Sequence, residues 1–228
     1  MKKISVILII LISFIKLQAQ KTDFTTEFEK SRGKATATYN ETISFFTDLA
    51  KTYPSIKIIE EGLTDSGKNL HLVLLNPDEN FNIKDIRKNK RILFLNNGIH
   101  PGEPDGIDAT MMLYRDIAQG KISIPKHTVL ATIPIYNIGG SLNRNSTSRT
   151  NQNGPLAYGF RGNARNYDLN RDFIKNDTKN AQAFAKIYHY LQPDVFIDNH
   201  VSNGADYQYI LTHLFTQHNK LGGEAGTY

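Results

Sequence analysis

The chain has no cysteine and no tryptophan. The missing cysteine excludes a disulfide scaffold, a thiolate zinc site, an iron–sulfur cluster and a cysteine nucleophile. Any metal bound here has to be held by histidine, aspartate and glutamate. Long apolar runs are equally scarce. The longest, residues 4–15, is broken by Ser5 and Ser13 and falls short of the ~20 apolar residues that cross a bilayer. It follows Lys2-Lys3 and precedes Lys16-Leu17-Gln18-Ala19-Gln20. That order of basic start, short apolar run and small residue marks a secretory signal peptide. Residues 1–20 are read so, with a secreted or periplasmic location, no stable membrane span after cleavage, and a single N-terminal anchor as the alternative. Since no cysteine follows, a lipid-modified cysteine anchor is excluded. A strong charge of one sign is lacking too. The formal charge is +5, from 27 basic and 22 acidic residues; removing the three leader lysines leaves 24 against 22, or +2. That balance offers no concentrated basic stripe, which argues against a nucleic-acid partner.

What is present is an ordinary globular composition, 39% hydrophobic and 21% charged over 228 residues, enough for one substantial core. Residues 21–34 are polar and read as a flexible lead-in. From Thr38 apolar residues recur at three- and four-residue steps (Tyr39, Ile43, Phe46, Leu49, Ala50), predicting a helix that ends near Tyr53-Pro54. Residues 56–59 and 70–75 read as strands joined by a turn at Asp65-Ser66-Gly67-Lys68-Asn69. The charged run 84–91 reads as a solvated turn. Strands are expected at 91–97, 128–133, 195–198 and 206–212. Helices are expected at 107–118, with Ala109, Met112, Leu113 and Ile117 on one face, and at 181–191.

Alternating strands and helices predict an α/β fold, with a mixed, largely parallel sheet flanked by helices. No repeat or linker divides the chain. The stretch 137–176 is rich in Asn and Gly and too long for an ordinary connection, so a functional role is the default reading. Its start, and the polar clusters at His100 and His200, each follow a predicted strand. In open α/β sheets ligands gather at the carboxyl ends of strands.

His100-Pro101-Gly102-Glu103 sets an imidazole and a carboxylate three apart across a turn, within reach of one metal ion. Asp198-Asn199-His200 supplies a second histidine past another strand. Two histidines and one glutamate are an established open zinc set, which leaves a coordination position for water. The alternative is a surface histidine, a helix-start glutamate favoured by the dipole, and a strand-end histidine bonded to backbone. Arg161, Asn170 and Arg171 lie in the long irregular segment; guanidinium is the group that clamps carboxylates bidentately, and an amide adds a neutral donor. Arg144, Arg149 and Arg165 read instead as a solvated basic loop. His71, His127, His189, His213 and His218 have no partner at metal-ligand spacing and read as scaffold or surface.

These motifs carry a resemblance. Asn97-Gly98-Ile99-His100-Pro101-Gly102-Glu103, Asp168-Leu169-Asn170-Arg171-Asp172-Phe173 and Phe196-Ile197-Asp198-Asn199-His200, in that order, resemble the zinc carboxypeptidases of the M14, carboxypeptidase A-like family, over residues 39–212. The segment 199–209 resembles a secreted bacterial branch. The resemblance implies one zinc ion held by His100, Glu103 and His200, with Asp168 orienting the first histidine. It implies Arg161 polarising the scissile carbonyl, and Asn170 and Arg171 holding the terminal carboxylate of a peptide substrate. The implied reaction is removal of C-terminal residues by metal-activated water.

The sequence departs from the family pattern at Asp172, where Asn is common and where the acid would place a charge beside the clamp, and at Val201, where Ser is usual. The family's general-base Glu, on a later strand, has no counterpart: Glu224 sits in a Gly-rich setting too soon after His200 and is not promoted to base, nor is Tyr228 promoted to the substrate-capping tyrosine. Residues 35–228 are therefore expected to be the N-terminal portion of such a domain, incomplete at its C-terminal end. Two alternatives remain: a zinc amidohydrolase acting on peptidoglycan peptides or acyl-amino acids, and a non-catalytic zinc- or peptide-binding fragment.

Overall fold

The computed structural model describes residues 22–202 and 204–227, so the signal-peptide reading of residues 1–20 lies outside them. Two threonines start helices by the same device. Thr26 opens α1 (Glu27–Lys30) and Thr38 opens α2 (Tyr39–Thr52); each hydroxyl accepts the N–H three residues on, while Glu29 or Glu41 reaches back to the threonine N–H. From residue 22 the expected flexible lead-in is thus structured. Phe24 is buried edge-on against Phe45, and the Arg115 guanidinium donates to the Phe24 carbonyl and to Glu29. One buried aromatic side chain and one partly buried ion pair tie down a segment whose composition is otherwise polar.

β1 (Ile56–Leu63) and β2 (Asn69–Leu75) form the expected hairpin, with Leu63 opposite Asn69 and Gly67 at φ +78° in the turn, a conformation open to glycine at no steric cost. Then come α3 (Ile83–Asn89), β3 (Arg91–Asn96), α4 (Asp105–Ala118), β4 (Thr128–Ile133), α5 (Ile138–Leu142), a 3-10 turn (Leu169–Arg171), α6 (Lys179–Leu191), β5 (Val195–Asp198), α7 (His218–Leu221) and α8 (Gly223–Thr227). The sheet order is β1-β2-β4-β3-β5. The β1–β2 and β2–β4 pairs are antiparallel, while β4–β3 and β3–β5 are parallel. The fold is α/β with a mixed sheet whose functional end is parallel.

Chain direction explains the layers. The crossover β3–α4–β4 steps one way along the sheet and β4–α6–β5 steps the other. Right-handed crossovers therefore put α4 and α6 on opposite faces. On one side Phe46 of α2 packs edge-on against Tyr114 of α4; on the other Phe184 of α6 packs against Phe94 and Phe196. β2 is buried at every position after Asn69, as a strand covered on both faces should be.

Three further expectations are corrected. The run 84–91 is not a solvated turn: Asn82 caps α3, which buries Ile83 and Ile86 under its charged outer face. The inward face of α4 is led by Ile107, Thr110, Met111 and Tyr114, with Leu113 and Ile117 at its margin and Ala109 exposed. Thr110 points inward because its hydroxyl accepts from Asn97. Residues 206–212 form no strand, and no backbone pairing among the described residues engages them; Tyr209 and Leu211 are exposed. Alternation supplies two faces, but a strand also needs a partner for its backbone.

Candidate metal centre

β3 and β5 run side by side, with Asn96 level with Asp198. Each strand is followed at once by a polar turn, so both turns emerge at the same end of the sheet. After β3 the chain bends at Gly98, in the left-handed region at φ +64°. Asn97 is buried under it, donating from its amide to the Thr110 and Thr132 hydroxyls and accepting from Asn199. That amide network ties the two turns together. The Glu103 N–H bonds back to the His100 carbonyl at 2.9 Å, which closes the turn and brings the two side chains together.

The result is convergent. His100 Nδ1 lies 3.1 Å from Glu103 Oε1, and His200 Nδ1 lies 3.0 Å from Glu103 Oε2. One ligand atom from each of the three residues falls within 4.8 Å of the others. Both imidazoles turn Nδ1 inward and give Nε2 to a carboxylate: His100 to Asp168 at 3.0 Å, and His200 to Asp198 at 3.0 Å. Two imidazoles and a carboxylate facing one point, each imidazole backed by an acid, are the donor set and outer support expected of a zinc site. The residues present fit the metal.

Charge follows geometry. Burial would push the Glu103 carboxyl up, but hydrogen bonds from His100, His200 and the Val201 N–H outweigh it and hold the group well below the usual carboxylate range. His200 is pushed up to about 9 by its bonds to Asp198 and Glu103. Asp168 is held low: burial opposes, but His100, Arg161 and the Asn170 N–H prevail.

Asp168 connects the trio to the long loop. Its Oδ1 takes both His100 and the N–H of Asn170, while its Oδ2 takes Nε and an amino group of Arg161 at 3.1 and 2.9 Å. Another Arg161 amino group lies 3.4 Å from His100 Nδ1. Asn170 is half-buried on the 3-10 turn, and Arg171 is exposed, donating to the Asn170 carbonyl. The acid at position 172 does not stand beside Asn170 and Arg171 as a free charge. It is buried, accepting from the N–H groups of Asp177 and Thr178 and from the Thr178 hydroxyl, and so organises the start of α6.

Two participants escaped the sequence reading. Asp198 was legible: it stands two residues before His200, and strand alternation puts such pairs on one side. Arg149 was not. Far from solvated, it is buried with an amino group 2.9 Å from Glu103 Oε1. Arg144 is half-buried and donates to the carbonyls of Thr36, Ala37 and Ala157, while Arg165 is exposed beside Asp65.

A search of curated protein sequences finds no matching relative. Among solved structures the chain is similar to a metallo-carboxypeptidase from Burkholderia cenocepacia, at 19% identity and a TM-score of 0.56, over 74% of this chain and 42% of that one. It is also similar to bovine thrombin-activatable fibrinolysis inhibitor in complex with tick carboxypeptidase inhibitor, at 16% identity and 0.55, over 73% and 61%. A third is carboxypeptidase A from Helicoverpa armigera, at 12% and 0.51, over 72% and 45%. These likenesses are of fold, and the chain spans less than two thirds of the length of each of these proteins. The model of the peptidase M14 family, described as zinc carboxypeptidase, matches residues 42–206 and so takes in His100, Glu103 and His200. The chain belongs to the zinc carboxypeptidase (peptidase M14) family.

Proposed function

We propose that the chain supplies the metal centre and substrate-carboxylate clamp of a secreted metallocarboxypeptidase, a hydrolase that removes C-terminal residues from peptides. The observation that carries this reading is the turning of His100 Nδ1, His200 Nδ1 and the Glu103 carboxylate toward one point, with Asp168 and Asp198 behind the imidazoles. His100, Glu103 and His200 would hold one zinc ion. When bound, zinc lowers the pKa of its water to about 7 and polarises the scissile carbonyl. The remaining work falls to side chains. Asp168 and Asp198 keep each imidazole in the tautomer that leaves Nδ1 free for the metal. Arg161, now gathered on Asp168 beside His100, donates to the oxyanion as charge develops there. One such preorganised donor is worth about 2.7–4 kcal/mol, felt mainly in turnover. Arg171, exposed and held by the adjacent Asn170 carbonyl, pairs with the substrate's terminal carboxylate, and the Asn170 amide adds a neutral donor.

Of the acids after His200, Asp206 and Glu224 are both exposed, and neither is assigned the family's general-base role. The clamp is tested by binding a peptide with a free C-terminus and the same peptide amidated. Amidation should weaken binding by up to about tenfold, since a hydrogen bond to a charged group is worth ~1.5 kcal/mol or more and an exposed ion pair less. Equal affinity for acid and amide would remove Asn170 and Arg171 from the reading.

A further inference from the structure

Glu103 has a neighbour that the reading above leaves unused. The Arg149 side chain is 8% exposed and sits 2.9 Å from Oε1 of the 2% exposed Glu103 carboxylate. Two features build its seat. At Gly102 a Cβ would lie 2.6 Å from Arg149 Cδ and 2.9 Å from the Gly159 carbonyl oxygen; the missing side chain opens the channel by which the arginine stem reaches the carboxylate. Below it Tyr158, 1% exposed, accepts the Arg149 N–H on its hydroxyl at 3.3 Å. Tyr158 is itself fixed by reciprocal backbone bonds with Asn145 at 3.0 and 2.9 Å. Burying a guanidinium is costly unless it is paired, and Glu103 is a carboxylate that pairs it.

The distribution of donors shows what the pairing does. Oε1 receives His100 and Arg149; Oε2 receives His200 and the Val201 N–H at 3.1 Å. If the two Nδ1 atoms serve a metal, they cease to be donors to Glu103. Arg149 and the Val201 N–H then remain, one on each oxygen, which fixes the rotation of the carboxylate. We propose that Arg149 is a positioning residue for the metal ligand Glu103, seated by Gly102 and Tyr158, and that it sets metal affinity by holding the carboxylate in one orientation. The inference rests on the metal reading of His100, Glu103 and His200. Outer partners of metal ligands are typically worth 10–100-fold in affinity.

The test measures zinc affinity by competition with a chromophoric chelator, and the visible spectrum of the cobalt-loaded protein, for the purified chain, Arg149→Met and Arg149→Lys. Metal-free thermal midpoints are recorded in parallel. Arg149→Met should bind zinc 10–100-fold more weakly and alter the cobalt bands, and Arg149→Lys, which keeps one charged donor, should recover part of both. In a Glu103→Gln background, Arg149→Met should have little further effect on zinc affinity. A lower thermal midpoint with wild-type zinc affinity and an unchanged cobalt spectrum would overturn the proposal and leave Arg149 a packing residue. Should Arg149→Met not fold, wild-type affinity in Arg149→Leu, which also carries no donor, has the same force. Failure of the underlying reading is separately visible: the unmodified chain would bind no zinc, or would bind it equally well after His200→Ala.

Discussion

At the scale of single residues, the site is built from acids with divided tasks. Asp168 and Asp198 each take the outer nitrogen of one imidazole, whereas Asp172, in the same short motif as Asp168, faces away and collects three donors at the start of α6. A motif read as one functional unit thus divides into an acid that contacts His100, the proposed carboxylate clamp, and an acid that serves the fold. Leaving a buried donor unpaired costs about 1–3 kcal/mol, so Asp172→Ala should destabilise the fold by roughly 3 kcal/mol in urea unfolding, while zinc affinity of the folded protein stays within a few-fold of wild type. A large drop in affinity with unchanged stability would place Asp172 in the site after all. The division also shows what was legible. His100, Glu103 and His200 were legible because their spacing has a chemical reason, and Asp168 only through the family resemblance; the structure brings the four side chains together. Arg149 was missed because its partner lies on another element, and a lone arginine among Asn, Ser and Thr looks like any solvated loop.

At the scale of elements, strong periodicity was readable and local context was not. The α2 and α6 helices and the core strands β2, β3 and β4 lie where the apolar patterns put them. The α3 helix was hidden because only two apolar residues, Ile83 and Ile86, anchor it among charges. The face of α4 was misjudged because hydrogen bonds, not hydrophobicity, turn two polar positions inward: Thr110 toward Asn97, and Asp108 toward the Thr36 hydroxyl and the Ala37 N–H. Burial of Asp108 pushes its carboxyl up to about 6, with a smaller push from Asp105, against the bonds from Thr36 and Ala37 and the charge of Arg144. An unfolded aspartate titrates near 3.9. Between those values the folded state holds the extra proton, so this group's contribution to stability is complete below about pH 4 and is lost as pH rises through about 6. The loss is on the order of 3 kcal/mol. Urea unfolding of the wild type minus that of Asp108→Asn, between pH 4 and 7, should fall by that order across the window. A flat or rising difference would show that Asp108 ionises in the fold without cost.

At the scale of the whole molecule, the parallel end of the sheet decides where chemistry can occur. β3 and β5 are neighbours with matched ends, which alone sets His100 and His200 close enough for their rings to lie 5.2 Å apart. Strand order is a long-range property, and no local pattern of apolar residues revealed that β5 would pair with β3 rather than β4. The alternation of strands and helices did reveal that polar clusters past three strand ends could share one crevice, and all three meet: the His100 turn, the His200 turn and, through Asp168, Arg161 and Arg149, the long segment after β4. β5 lies at the sheet's edge, with Val195, Phe196 and Ile197 partly exposed, which makes His200 the most accessible of the three proposed ligands. The central claim is that His100, Glu103 and His200 form one zinc site. It is tested most directly by stripping the purified chain of metal, reloading it with zinc, dialysing, and counting zinc per chain by elemental analysis, beside a His200→Ala variant treated alike. About one zinc per chain in the wild type, falling to background in the variant, is the expected result. A wild-type chain that retains no zinc, or a variant that retains as much as the wild type, would contradict the account.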